Sequence, residues 1–308
     1  MECAINVENV SFSYDGRKNA VSDASFYAPK EGITALIGPN GSGKSTLLKL
    51  ILGIYESQSG KIKSTPDPRK ERDAISYSPE VYALFPHSNV MEYLMLAGQL
   101  RGMRMGESRT AAANMLKSVN LEHLKKCNTH TLSKGNRQKI QLIACLVSRP
   151  KLAVFDEPWS GLDPENQEQM ATLIIDAANA GSTILLTGHH MGMIERTCHR
   201  IVAMRNGSVV ISGTTDELLK RLLPTKKLFM SFSKPVHHRP QNFGGFRSEW
   251  DTLSLTANVE VPSGADMSPL ITAASACGEI VDISTEIGTL HDAYIALYKD
   301  IFQDNEDA

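Results

Sequence analysis

Gly38-Pro39-Asn40-Gly41-Ser42-Gly43-Lys44-Ser45-Thr46 is the stretch on which the reading of this chain turns. It satisfies G-x-x-x-x-G-K-[ST], the spacing of a phosphate-binding loop. Glycines let the backbone curl so that successive N–H groups point at phosphate oxygens, and a following helix adds the partial positive charge of its N-terminus. Lys44 is expected to reach the β- and γ-phosphates, and the Ser45 hydroxyl to ligate Mg2+. Ahead of the loop, Ile33–Ile37 is a continuous apolar run of the buried parallel-strand kind. Behind it a helix is expected from about Ser45 to Leu52, stopped by Gly53. A plain glycine-rich turn is the alternative, and a strand before and a helix after weigh against it.

Further out, Ile5 to Tyr14 alternates apolar and polar residues and ends in Asp15-Gly16, a strand and a turn, with Ser22 to Ala28 as its antiparallel partner. Residues 54–80 read as short strands and turns, with Pro66 and Pro68 blocking a helix. From about Val90 to Cys127 the pattern is helical, in Met91, Leu94, Met95 and Leu100 and then Ala111 to Val119, and another helix is expected over Arg137–Ser148. Leu152–Phe155 and Thr183–Leu186 read as buried strands with a helix, Asn166–Ala180, between them. Ile201–Met204 and Ser208–Ile211 pair as a hairpin across Arg205-Asn206-Gly207. Strands alternating with helices imply an α/β fold with a parallel sheet. After about Leu223 the composition changes. Pro224, Pro235, Pro240 and Gly244-Gly245 punctuate strands near Lys227–Ser233 and Thr252–Val261, then a helix (Ser268–Cys277), a strand (Glu279–Ser284) and a helix (Leu290–Phe302). Two domains are expected, 1–222 and 223–308, the second a small α+β unit.

The length of 308 residues suits that division and needs no metal or disulfide staple. A formal net charge of −2 gives no global basic field for nucleic acid or anionic lipid. The five cysteines are scattered without metal-ligand spacing and read as reduced thiols. The first residues carry acids and no apolar signal core, and no apolar run is long enough to span a bilayer. Any membrane role is expected to come through a partner.

Leu152-Ala-Val-Phe155 leads into two adjacent acids, Asp156 and Glu157. Alternation along a strand points neighbouring side chains to opposite faces, so the two acids are expected to do separate work. At the C-terminal edge of a parallel sheet, Asp156 can hold Mg2+ through water and Glu157 can orient or deprotonate an attacking water. A solvated acidic loop is the alternative in isolation; the phosphate loop upstream favours the functional reading.

Gly38–Thr46, Leu132-Ser133-Lys134-Gly135-Asn136, Phe155-Asp156-Glu157-Pro158, Ser160-Gly161-Leu162-Asp163-Pro164 and His189 occur in an order and spacing that resemble the ABC ATPases over residues 1 to about 220. The second segment is similar to the signature LSGGQ. The resemblance implies a P-loop NTPase of the ABC ATPase type: a parallel-sheet core, an antiparallel β subdomain and a helical subdomain at about 81–131. It implies ATP and Mg2+ as ligands and hydrolysis coupled to transport, most closely in the exporter branch whose permease is a separate chain. That would place the protein in the cytoplasm, held to the inner face of the cell membrane by its permease.

Carried over residue by residue, the resemblance makes Ser133 and Gly135 an anion site for the nucleotide of a second subunit, in a head-to-tail dimer of identical or similar chains. Asp163 would help join the two sites across the interface. A helix-capping turn is what Leu132–Asn136 would be in isolation. His189 rather than adjacent His190 falls at the switch histidine when counted back from Cys198-His199-Arg200, in reach of the γ-phosphate and of the water at Glu157. Tyr14 lies where the family stacks an aromatic on adenine; Phe12 shares its strand face, and core packing is the alternative.

The chain departs from the family at three places. Tyr77-Ser78-Pro79-Glu80 carries glutamate where a Q-loop glutamine is usual; Glu80 is expected to sense Mg2+ and relay to the helical region, and it fits the separate-permease branch. Lys134 and Asn136 replace glycine and glutamine of the signature. His199 replaces an aspartate, removing a structural ion pair. Competing functions are a soluble ABC ATPase on DNA or ribosomes, and a phosphate-loop kinase or GTPase. The stretch from Thr46 to Leu132 is too short for a coiled coil, there is one cassette and not two, and no Asn-Lys-x-Asp guanine reader is present. No nucleic-acid partner is expected.

Overall fold

The computed structural model describes residues 3–81, 84, 85, 88–251, 253, 255–286 and 288–306, with side chains through residue 299. The chain divides into two compact units, Met1–Thr215 and Asp216–Ala308. The break falls at the start of a helix over Thr215–Leu222, a few residues before the expected 222/223 division.

In the first unit, β1 (Cys3–Ser13) pairs antiparallel with β2 (Asn19–Pro29) and with β4 (Ser59–Ser64) in a three-stranded sheet. A six-stranded sheet holds β3 (Ile33–Ile37), β5 (Ile75–Ser78), β6 (Leu152–Phe155), β7 (Thr183–Thr187), β8 (Arg200–Arg205) and β9 (Ser208–Gly213), in the order β5-β6-β7-β3-β8-β9. All its pairings are parallel except the β8–β9 hairpin. The whole of β3, β6 and β7 is buried, which is why these strands read as unbroken apolar runs. The order sets β7 between β3 and β6, so loops leaving the C-terminal ends of these three strands emerge side by side, where open α/β sheets bind ligands.

Helix α1 (Lys44–Ile51) lies between the two sheets. Its Leu47, Leu48 and Ile51 share one core with Val7, Val10 and Phe12 of β1 and with Leu36, Val154, Leu185 and Val202 of the larger sheet. Each such buried side chain contributes about 1.5–3 kcal/mol; together they fix the floor beneath the phosphate loop. The 90–127 region is helical in two pieces, as its two apolar groups imply. It divides into α2 (Val90–Gln99) and α3 (Met105–Ser118) because the chain turns at 100–104, and Ser108 Oγ donates back to the Met95 carbonyl at 2.8 Å. Asn89 starts α2 with a capping box, its side chain accepting the Glu92 N–H at 2.9 Å. Tyr82, Ala83, Pro86 and His87 of the expected 81–131 subdomain lie outside the described residues.

Helix α4 (Lys134–Leu146) starts three residues before its expected position, and α5 (Pro164–Asn179) two residues early. In each case a cap, Ser133 or Asp163, recruits the residues after it into the first turn. A short helix, α6 (Met191–Thr197), follows β7 and was not legible as a helical pattern. Helix α7 (Thr215–Leu222) opens the second unit.

The second unit is α+β. Strands β10 (Thr225–Phe232), β11 (Asn242–Phe243), β12 (Phe246–Trp250), β13 (Thr256–Pro262) and β14 (Ile280–Glu286) form an antiparallel sheet in the order β11-β12-β13-β10-β14. The expected strand Thr252–Val261 begins at Thr256; Thr252 and Ser254 lie outside the described residues. Gly244-Gly245, expected as punctuation, is the two-residue turn joining β11 to β12, both residues at positive φ. Helix α8 (Ser268–Ser275) sets Leu270 and Ala274 against Leu228, Met230, Phe243 and Val259. Helix α9 (Leu290–Glu306) follows β14.

Candidate active site

The phosphate loop bridges β3 and α1. Gly38 and Gly43 have φ of 148° and 99°. A Cβ on Gly38 would strike the Met204 carbonyl and one on Gly43 the Ala20 carbonyl, so no other residue forms this loop without distortion. Gly207 N–H donates to the Ser42 carbonyl at 3.1 Å and Ser22 N–H to the Gly207 carbonyl at 2.9 Å, hanging the loop from β2 and the β8–β9 turn. Gly43, the N-cap of α1, has no side chain to spend on the first-turn amides, which face outward for an anion. Ser42 Oγ is buried without a partner. Lys44 Nζ folds over the loop, donating to the carbonyls of Gly38 at 2.8 Å and Pro39 at 3.1 Å. Burial holds its pKa below the ordinary lysine value, against the opposing charges of Glu157, Asp156 and Glu80. A curled loop with an orphaned hydroxyl and a buried ammonium fits the phosphates of a nucleotide.

Asp156 and Glu157 both lie past the end of β6, so strand alternation does not separate them. Glu157 has a φ of 52°, and this backbone reversal sends the two carboxylates in different directions. Asp156 is buried; its Oδ1 accepts from Ser45 Oγ at 3.2 Å and from Thr187 Oγ1 at 2.6 Å. Glu157 Oε2 lies 2.8 Å from His189 Nδ1. Burial raises the Glu157 pKa, opposed by His189 and Lys44. Thr187, the last residue of β7 and absent from the sequence reading, also accepts the Glu157 N–H at 2.9 Å. Of the two adjacent histidines, it is His189 that reaches Glu157. His190 Nε2 is buried without a partner, and burial, then the neighbouring His189, lowers the His190 pKa.

The Ser45 hydroxyl and Asp156 carboxylate converge as hard oxygen donors. Among the described residues no cluster of three His, Cys, Asp or Glu side chains could cage a metal. That donor set fits Mg2+, which keeps waters and takes one or two protein oxygens plus phosphate oxygens. Glu80 is exposed at the end of the β5 loop, with its charge felt at Lys44. Thr46 Oγ1 is 3.0 Å from the Tyr14 hydroxyl. Phe12 is buried while Tyr14 is 58% exposed beside the loop, its ring edge-on to Phe12 and Tyr55; core packing claims Phe12 and leaves Tyr14 open.

Ser133, Gly135 and Asp163 form a separate cluster. Ser133 caps α4, accepting the Asn136 N–H at 3.3 Å, and Gly135 lies within the first turn rather than before the helix. The Asn166 amide sits over Gly135, 2.9 Å from where a Cβ would be, and donates to Asp163 Oδ2 at 2.6 Å. The Lys134 ammonium rests against Gly161. His199, standing where the family has aspartate, is bonded to β3: its Nδ1 accepts the Ile33 N–H at 3.1 Å and its own N–H donates to the Ile33 carbonyl.

A parallel sheet carrying a phosphate loop, a strand-end acid pair and a histidine on the second acid defines a P-loop nucleotide hydrolase. Residues 21–160 match the family model described as ABC transporter, and the chain belongs to the ATP-binding proteins of that family. It is 31% identical over 222 residues to an ABC transporter ATP-binding protein of Methanocaldococcus jannaschii, covering 72% of this chain and 82% of that one. The linearmycin resistance ATP-binding protein LnrL of Bacillus subtilis is 32% identical, with 71% of each chain covered. The Nod factor export ATP-binding protein I of Paraburkholderia xenovorans is 33% identical over 71% of this chain and 73% of that one. A solved ATP-binding subunit of an ABC transporter superposes with a TM-score of 0.65 at 30% identity, covering 71% of this chain and 92% of that one. The protein is thus an ABC-type ATPase, an ATP-binding subunit of a transporter. Among the described residues no helix is long and apolar enough to cross a membrane.

Proposed function

We propose that this chain powers export through a permease encoded as a separate polypeptide, working as a dimer at the cytoplasmic face of the cell membrane. The observation that carries the reading is the meeting of Lys44, Ser45, Asp156, Glu157 and His189 at the C-terminal edge of one sheet, with Glu157 and His189 2.8 Å apart. The names of the relatives linked to resistance and export support the direction.

Lys44 and the loop amides of 38–46 hold the β- and γ-phosphates, and Tyr14 lends its open ring to the adenine. Ser45 and Asp156 would hold Mg2+, with Glu80 as a further carboxylate near the loop; bound there, the ion would neutralise charge on the phosphates. Glu157 orients the attacking water and takes its proton, its raised pKa matching that task. His189 fixes the Glu157 carboxylate and presents its exposed edge to the γ-phosphate. Ser133, capping α4, and Gly135, beneath the Asn166 amide that holds Asp163, serve the nucleotide of the second subunit. Closure on ATP and reopening after hydrolysis move the permease.

The test is Glu157→Gln. Steady-state hydrolysis is expected to fall about 100-fold or more, with an ATP-dependent dimer accumulating on size exclusion. Wild-type hydrolysis is expected to rise on co-expression with an integral-membrane protein encoded beside it. A Glu157→Gln protein that stays monomeric at saturating ATP would overturn the sandwich.

A further inference from the structure

Helix α4 carries a polar stripe along a face buried in the first unit. Gln138, Gln141 and Cys145 recur at spacings of three and four, one side of a helix. Gln138 Nε2 donates to the Pro158 carbonyl at 2.7 Å. Gln141 Nε2 donates to Ser78 Oγ at 2.7 Å and to the Pro79 carbonyl at 2.9 Å, so both hydrogens of that amide are spent on one loop. Cys145 Sγ donates to the Tyr77 carbonyl at 3.4 Å. Pro158 follows Glu157, and Pro79 precedes Glu80. These two loops leave neighbouring parallel strands, β6 and β5, and a single helix gauges the distance between them.

The head of that same helix is Ser133. From Ser133 to Gln141 is a rigid rise of about 12 Å. We infer that Gln141 is a positioning residue that couples the signature end of α4 to Glu80, so that a phosphate of the second subunit engaged at Ser133 and Gly135 sets the placement of the metal-side carboxylate in this chain. The inference rests on the dimeric reading above. Buried in low dielectric, a twice-donating amide holds its loop more tightly than an exposed one. An amide serving only to satisfy strand-end acceptors would affect stability and nothing else.

The two roles separate in a Glu157→Gln background, where ATP-driven dimerisation can be titrated with Mg2+ by size exclusion, without hydrolysis. Adding Gln141→Leu is expected to leave dimerisation complete at saturating Mg2+ but raise the half-maximal Mg2+ concentration about fivefold. With Glu157 intact, Gln141→Leu is expected to bring the Hill coefficient for ATP down towards one. Ser78→Ala, which removes one of the two acceptors and leaves α4 untouched, should shift the same midpoint less and decides the matter if Gln141→Leu does not fold. Unshifted midpoints and cooperativity in folded variants, or a loss of hydrolysis that only tracks the folded fraction, would overturn the inference. If the Glu157→Gln parent itself fails to dimerise, the functional reading falls and takes this inference with it; a parent that dimerises beside unshifted variants sinks this inference alone.

Discussion

Thr187 Oγ1 donates to Asp156 Oδ1 at 2.6 Å, and the same oxygen accepts the N–H of Glu157 at 2.9 Å. One hydroxyl at the end of β7 therefore holds both acids at the end of β6. Thr187→Val keeps the shape and removes both bonds, leaving a buried carboxylate short of a donor and a backbone amide unpaired. It is expected to cost about 1–3 kcal/mol of stability and to lower kcat about tenfold or more through misplacement of Glu157. Denaturant melts and steady-state hydrolysis check both; wild-type values in each would remove Thr187 from the site.

Glu157 gives a pH dependence of definite sign. Burial raises its pKa in the folded state, so the folded chain holds that proton more tightly than the unfolded chain. Ionisation then weakens the fold, a cost that grows as pH rises from the unfolded value through the folded one. Glu157→Gln carries no such cost. Its Tm is expected to exceed that of the wild type at neutral pH, with the gap closing as pH falls below about 4. Thermal melts across that range suffice, and a gap that widens towards acid contradicts the assignment.

Tyr14 stands open beside Thr46. Tyr14→Ala is expected to weaken nucleotide binding about fivefold, the worth of one aromatic stacking contact, with kcat nearly unchanged. Titration with ATP in the Glu157→Gln background reads the affinity directly. Loss of kcat with unaltered affinity would return the ring to a structural role.

Gly135 lies under the Asn166 amide, which in turn holds Asp163. Gly135→Val must push that amide aside. Nucleotide binding to the chain's own phosphate loop is expected to persist, while ATP-driven dimerisation in the Glu157→Gln background falls about tenfold or more. Fluorescent-nucleotide binding and size exclusion separate the two, and equal loss of both would argue against a site completed in trans.

The phosphate loop and the acid pair were legible because their chemistry demands particular residues at fixed spacing in a line of sequence. The strands read well for a related reason: β3, β6 and β7 are buried throughout and so are written almost entirely in apolar residues. Thr187 was not legible, since a threonine at a strand end is ordinary sheet composition and only the adjacency of β6 and β7 gives it two partners. Gln141 was hidden likewise, as a polar residue inside a helix whose partners lie more than sixty positions away. The separation of Asp156 from Glu157 was expected from strand alternation but comes from a positive φ at Glu157, a backbone property that residue type does not announce. The start of α4 at Lys134 could have been found from Ser133 and Asn136, a cap and the amide that it accepts.

The phosphate loop is moulded by main-chain atoms: the carbonyls of Ala20 and Met204 press on Gly43 and Gly38, and the amide of Gly207 holds Ser42. The nearest approach in each case is a peptide oxygen, with the Met204 methyl standing farther off Gly43. The mould can therefore survive drift in the identities of the residues that form it, provided that their strands stay in register. The cast inside it has no such latitude, because a single added methyl on either glycine meets peptide oxygen. In this protein the freedom to vary and the need to stay fixed lie a few ångströms apart, divided by which partner offers backbone and which offers the absence of a side chain.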